Sequence, residues 1–343
     1  MSGTKLILTI LVAVSMLSLP VICLAGLGYY IDAGATNDIL RFNADGTPAP
    51  TPGNSGAVFA DLPMAAGSTY LQPHFMAYRA ADNYLYVTSP NDYGTMKWGD
   101  GSAYVTRYNV TTGVKDPNWK VWTRDPVNGY ASTISLTPNG DIYVVDGTYQ
   151  WASKINIAAQ TSTLQYFYPN GGGLRGLTFD NAGYGYASNT NDRQVHRYVV
   201  PTVGDWIDDV TYDGALATGY NPYQLVMGPD GWLYVGGNGN EIFRLDSQGH
   251  RDTTWVVNTG VSWPAFGMSF GPDEKLYVSG YTSVVRFDTT TKARETVFDF
   301  GGVTNSYSVT WGWVPDAPVP EPGSLLGLGL GLSSMVAFLR RRK

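Results

Sequence analysis

The chain has 343 residues, 43% of them hydrophobic and 13% aromatic, with 41 glycines and a formal charge of −6. Its single cysteine, Cys23, excludes a disulfide framework and paired-thiol chemistry. An acidic chain does not condense on phosphate backbones, so no nucleic-acid partner is expected.

At the N-terminus, Lys5 precedes an apolar run from Leu6 to Leu19, broken by Pro20. Cys23-Leu24-Ala25 places small residues at −3 and −1, which predicts a signal peptide over residues 1–25, cut after Ala25. Pro20 and Ile22 are poor neighbours for a lipid-attachment cysteine, so an ordinary signal peptide is the reading. Removing both chain ends takes away Lys5, Arg340, Arg341, Arg342 and Lys343 but only one acid, Glu321, so the remainder is more acidic still. The whole chain holds four glutamates against many Asp, Asn and Gly, a balance that builds turns rather than helices. With abundant Tyr, Thr and Val, residues 26–317 read as one all-β domain.

A unit repeats through that domain: an alternating strand, a turn of the Pro-Asp-Gly kind, then a strand centred on Leu-Tyr-Val. The clearest copy runs from Leu225 through Pro229-Asp230-Gly231 to Gly236. Others run from Met268 to Ser279, Ile134 to Val145, Leu177 to Ser188, and Met76 to Thr88, the last with one extra residue in the turn. The second-strand tyrosines Tyr86, Tyr143, Tyr186, Tyr234 and Tyr277 recur at spacings of 57, 43, 48 and 43 residues, which suits four short strands per propeller blade. A third strand carries an apolar-Arg-aromatic pattern around Arg107, Arg197, Arg244 and Arg286. Two half-units remain. Gly28 to Asp32 with Ile39 to Asn43 lacks a first strand, and Ser308 to Trp313 lacks successors. Joined, they make a sixth blade from both termini and remove the open sheet edge. Six blades are therefore expected, with seven the alternative if Trp119 to Asn128 hides strands.

At the C-terminus, Val319-Pro320-Glu321-Pro322 precedes an apolar stretch, Gly323 to Leu339, and then Arg340-Arg341-Arg342-Lys343. As a helix that stretch spans about 25 Å, short for a bilayer core, and the basic cluster would stay on the cytoplasmic side. In its three parts and their order, the segment 318–343 resembles the PEP-CTERM sorting signal. That resemblance implies a membrane-embedded exosortase as processing partner, anchoring through the C-terminal transmembrane helix before processing, and a final place at the cell surface, outer membrane or outside the cell of a bacterium that makes extracellular polysaccharide. By its blade signatures the middle resembles the NHL and SMP-30-like propeller superfamily, a likeness of fold, and folds host many functions.

In a propeller the innermost strands line the central channel, and their starts lie at one mouth. The position two residues before each first apolar residue is His74, Ser132, Arg175, Tyr223, Phe266 and Tyr307. This basic and aromatic ring is the candidate ligand contact, able to stack on sugar rings and to hydrogen-bond hydroxyls or a uronate. The competing role of the same residues is to plug the channel.

The SMP-30-like lactonases imply a metal cluster with a glutamate from an early blade, yet no Glu precedes Glu241. The related antibiotic-cleaving lyases imply His and Glu near repeated Trp motifs, and His74, His196 and His250 do not align with one another. No catalytic residue, metal site or cofactor is therefore assigned. Ca²⁺ is the one ion considered, at Asn189–Asp192, Gly236–Glu241, or Asp205 with Asp208 and Asp209; the first two stretches fall at hairpin turns that need positive φ. Trp98, Trp119, Trp122, Trp151, Trp206, Trp232 and Trp255 offer a glycan platform, but in an all-β repeat most should seal blades together. The expectation is a non-catalytic surface or matrix binding propeller, with polysaccharide or a surface protein as partner. The alternative is a metal-assisted lactonase, lyase or glycan-acting enzyme working at the channel mouth.

Overall fold

The computed structural model describes residues 27–33, 38–61, 75–89, 104–123, 131–146, 151–167, 173–216, 220–260, 267–280, 283–299 and 308–313. All lie within one compact unit, Leu27–Val314. The expected signal peptide, the sorting tail, Trp98, His74, Phe266 and Tyr307 lie outside the described residues.

The chain opens with β1 (Leu27–Ala33), β2 (Asp38–Asn43) and β3 (Val58–Asp61). Blade one follows as β4 (Phe75–Arg79), β5 (Tyr84–Ser89), β6 (Tyr104–Asn109) and β7 (Lys115–Trp122). Blade two is β8 (Ala131–Leu136), β9 (Ile142–Asp146), β10 (Trp151–Asn156) and β11 (Thr161–Tyr166). Blade three is β12 (Leu174–Phe179), β13 (Tyr184–Asn189), β14 (Gln194–Val199) and the short β15 (Ile207–Asp208). Blade four is β16 (Pro222–Met227), β17 (Leu233–Gly237), β18 (Glu241–Leu245) and β19 (Arg251–Asn258). Blade five is β20 (Gly267–Phe270), β21 (Leu276–Ser279), β22 (Ser283–Phe287) and β23 (Arg294–Asp299), and β24 (Val309–Trp313) ends the described chain.

Each group of four forms one antiparallel sheet in sequence order, and the sixth sheet has the order β24-β1-β2-β3. The closing blade is thus built from both ends, with Tyr29 opposite Trp311 and Ile31 opposite Val309. First strands contact one another around a circuit, β4 to β8, β12, β16, β20, β24 and back to β4. The six-bladed propeller expected from the repeats is the fold. Trp119 and Trp122 belong to β7, which completes blade one rather than starting a seventh; residues 124–128 lie outside the described residues.

The turn chemistry follows the repeat. The residue before the second strand that must turn with positive φ is Asn83, Gly140, Gly183, Gly231 or Glu274, and glycine fills three of the five places because it has no Cβ to clash there. Six apolar clusters hold the ring, each drawn from two adjacent blades. Phe75, Trp119 and Val121 of blade one, for example, pack with Ile134 and Val144 of blade two. Tyr29 and Phe42 pack with Tyr277 and Val284 where the closing blade meets blade five. Trp119, Trp206 and Trp255 are buried, and the Trp119 and Trp255 indoles donate to the carbonyls of Ile157 and Thr289 in the next blade. These three seal the blades, whereas Trp122 and Tyr166 remain partly exposed.

Closure also uses a buried carboxylate. The Ser308 amide donates to Asp32 Oδ1 at 2.6 Å, and the Met76 amide of blade one donates to Ser308 Oγ at 3.3 Å. The joint between first and last strands is therefore stitched to the neighbouring blade.

Candidate functional site

Three of the six mouth positions are described, and all three sit in backbone irregularities at the start of a first strand. Pairing of β8 with β9 steps from Ala131–Asp146 to Thr133–Val145, leaving Ser132 extra. Pairing in blade three steps from Leu174–Asn189 to Leu177–Ala187, across Arg175. Pairing in blade four steps from Pro222–Gly237 to Leu225–Val235, across Tyr223. A bulge re-aims the side chain it carries, and such bulges gather at barrel rims and next to functional sites. Arg175 and Tyr223 are half-buried.

The bulges of blades three and four are tied to each other. Ser188 Oγ accepts from the Gly176 amide at 2.7 Å and donates to the Tyr223 carbonyl at 2.8 Å. A Cβ on Gly176 would stand 2.3 Å from that carbonyl oxygen, so the two strands approach only because position 176 lacks a side chain. Arg175 and Tyr223 thus lie on adjacent, directly linked strands.

Below the mouth the six first strands enclose a cavity of about 160 Å³. The register sets one level of it: Ser135, Thr178, Ser269 and Thr310 stand opposite Tyr143, Tyr186, Tyr277 and Tyr30. Ala77 and Val226, opposite Tyr86 and Tyr234, complete the level. Gln224 and Ser308 line it nearer the strand starts. Among the described residues no lining side chain carries a charge at neutral pH. The sequence reading stopped at the mouth and missed this level. Its signal was present, because each of these residues directly follows the first apolar residue of its repeat.

A larger cavity, of about 590 Å³, lies between blades four and five beside Asp230, Arg244, Trp255, Glu274 and Lys292. Many of its polar groups satisfy one another. Arg244 binds Asp252 at 2.9 Å, Lys292 Nζ donates to the Thr254 carbonyl at 2.6 Å, and the Trp255 indole donates to Thr289. Burial, opposed by the Arg244 hydrogen bond, pushes the Tyr234 phenol up to about 12. The channel is the better candidate because Ser135, Thr178, Gln224, Ser269 and Thr310 of its lining are not tied up in such pairs among the described residues.

The histidines play local parts. His196 is buried on β14 with Nε2 2.9 Å from Asp192 and Nδ1 3.7 Å from Asp208. Burial raises the Asp208 carboxyl, and the nearby His196 opposes that. His250 is exposed, 3.4 Å from Asp246. Of the acidic and amide stretches considered for Ca²⁺, the two hairpins turn through positive φ at Arg193 and Asn240. Among the described residues no three His, Cys, Asp or Glu side chains gather to hold a metal ion.

Residues 318–343 match the PEP-CTERM protein-sorting motif. The motif implies an exported protein, processed by an exosortase-type enzyme and membrane-anchored until then. No curated protein sequence matches the chain. Solved structures share the fold. A chain of a nidogen/laminin complex matches at TM-score 0.60 and 16% identity, over 85% of this chain and 100% of that one. A periplasmic gluconolactonase of Pseudomonas aeruginosa matches at TM-score 0.54 and 16% identity, over 84% and 100%. An inactive virginiamycin B lyase of Staphylococcus aureus, crystallised with quinupristin, matches at TM-score 0.50 and 15% identity, over 68% and 71%. A chain of a nidogen/laminin complex, a gluconolactonase and a lyase thus share one scaffold, which leaves function to the site.

Proposed function

We propose that this exported propeller is a non-catalytic binding protein of the cell surface or extracellular matrix, which takes a polysaccharide or a surface protein at its channel mouth. The observation that carries the reading is the channel itself: six first strands converge on a cavity whose described lining is uncharged. Hydrolysis or elimination needs a group that gives or takes a proton, or an ion that polarises the bond. The described lining offers hydroxyls, an amide and apolar groups, which bind and orient. Arg175 and Tyr223, held at linked bulges beside the mouth, supply a cation and a phenol for an acidic or hydroxyl-rich polymer.

The alternative, a metal-assisted lactonase or lyase, requires a convergent set of oxygen and nitrogen ligands. A Ca²⁺ titration would place it ahead if the ion bound and a lactone or glycan turned over. The direct test of the binding reading is affinity electrophoresis of the full chain through acidic, neutral and amino polysaccharides, beside Arg175→Ala and Tyr223→Ala. Retardation by at least one polymer, weakened in both variants, is expected. Free migration through every gel, with no surface protein captured, removes the reading.

A further inference from the structure

The channel holds a second group of polar side chains besides those of the mouth. Ser135, Thr178, Gln224, Ser269 and Thr310 come from five different blades and all line the cavity. Their side chains are partly accessible, and none makes a hydrogen bond to another side chain or to the backbone. Polar groups in a protein interior are normally satisfied, so five together mark a place where something else supplies the partners. Thr133 Oγ1, fully buried in the same wall, is likewise without one.

The character of the occupant follows from the donor set. Hard cations are held by carboxylates and carbonyl oxygens, and among the described residues the lining has no carboxylate. An anion would call for Arg or Lys, also missing from the described lining. A wholly apolar molecule would strand five polar groups in a desolvated space. Hydroxyls both donate and accept, and so pair with other hydroxyls without fixed polarity. Ala77 and Val226, at the same level, add apolar contact suited to the C–H face of a sugar ring. The cavity, about 160 Å³, has room for about five waters or one compact polyol.

We propose that this hydroxyl ring is a binding site for one uncharged polyhydroxylated unit, either a free sugar or the end of a neutral glycan entering from the mouth. The inference rests on the binding reading above for its extracellular ligand, but not on Arg175 or Tyr223. It assigns recognition of a chain end rather than of a chain lying across the surface, because the ring lies inside the channel.

The test uses the full chain in a non-glycosidic detergent. Glucose, mannose, galactose and N-acetylglucosamine, with a trisaccharide of each, are titrated by ligand-observed NMR and calorimetry beside glucuronate, galacturonate and glucosamine. At least one neutral sugar should bind, with its charged counterparts weaker by about tenfold or more, the scale of one lost or mismatched hydrogen-bonding group. Ser135→Ala with Ser269→Ala should weaken that sugar by about tenfold or more. The near-isosteric Thr178→Val, checked by its melting temperature, gives the same reading if the double variant folds poorly. The ring variants are read on the small sugar and Arg175→Ala on polymer retention, so failure at the mouth and failure in the channel are distinguishable. A trisaccharide tighter than its monosaccharide identifies a glycan end; equal affinity identifies a free sugar. Absence of binding by every neutral sugar, equal binding of charged ones, or unchanged affinity in both ring variants would overturn the proposal and leave water as the occupant.

Discussion

Arg286 on the third strand of blade five donates from Nη1 to the Tyr277 hydroxyl at 3.0 Å, directly across the sheet. The same register recurs in every blade: Tyr86 faces Arg107, Tyr186 faces Arg197, Tyr234 faces Arg244, and Tyr30 faces Arg41, with Lys154 facing Tyr143 in blade two. In four blades the tyrosine hydroxyl also donates to an aspartate of the preceding turn, Asp82, Asp180, Asp230 or Asp273. The arginine then reaches an acid of the fourth strand or of the segment beside it, as Arg107 reaches Asp116, Arg197 reaches Asp209, and Arg244 reaches Asp252. One cation therefore ties a turn and two strands, and the repeated arginines are structural.

Arg244→Ala should show that role most clearly. Its guanidinium lies 4.4 Å from the Trp232 ring centroid and 5.4 Å from that of Trp255, besides pairing with Asp252. Loss of about 1–3 kcal/mol is expected, read from urea unfolding. Arg244→Lys should recover only part of it, because an ammonium cannot fork onto the carboxylate and stack at once.

Acid should weaken the blades in a defined window. Hydrogen bonds from Thr254, joined by Arg244, hold the Asp252 carboxyl down at about 2, and the Arg107 hydrogen bond lowers Asp116. A carboxyl depressed in the folded state adds stability that is fully present above its unfolded value near 4 and is lost as pH falls through its folded value. Urea midpoints should therefore drop between about pH 4 and pH 2. Asp252→Asn should have a lower midpoint at neutral pH and a shallower drop.

Closure can be tested by truncation. A chain ending at residue 317 keeps β24 and should unfold in one cooperative step. A chain ending at residue 307 exposes the β1 edge and loses the Tyr29–Trp311 and Ile31–Val309 pairs. It should melt about 10 °C lower or more, or aggregate through the open edge.

Gly176→Ala should strike the link between blades three and four. The added methyl meets the Tyr223 carbonyl oxygen at 2.3 Å and the Leu225 nitrogen at 2.9 Å, both backbone atoms. About 1–3 kcal/mol of destabilisation is expected by chemical denaturation, with weaker polymer retention if the bulges shape the mouth. Gly183→Ala, at φ +90 with open space around it, should cost only about 1 kcal/mol and leave retention unchanged.

The blade count and the circular closure were legible in the chain because turn residues, alternating strands and the tyrosine spacing are local signals repeated five times over. The half-units around Tyr30 and Val309 announced their pairing by what each lacked. The sorting motif at the C-terminus was equally plain, since charge, apolar length and proline placement act without tertiary context. The site was less legible. Ser132, Arg175 and Tyr223 were candidates from aligning the repeats, but the bulges that hold them arise from strand pairing across a blade, which sequence does not display. The ring of Ser135, Thr178, Ser269 and Thr310 reads locally as four unremarked small residues. Only wrapping six first strands about one axis brings them to a common level, and only the packed structure decides that they line a shared cavity while the repeated third-strand arginines hold the blades together.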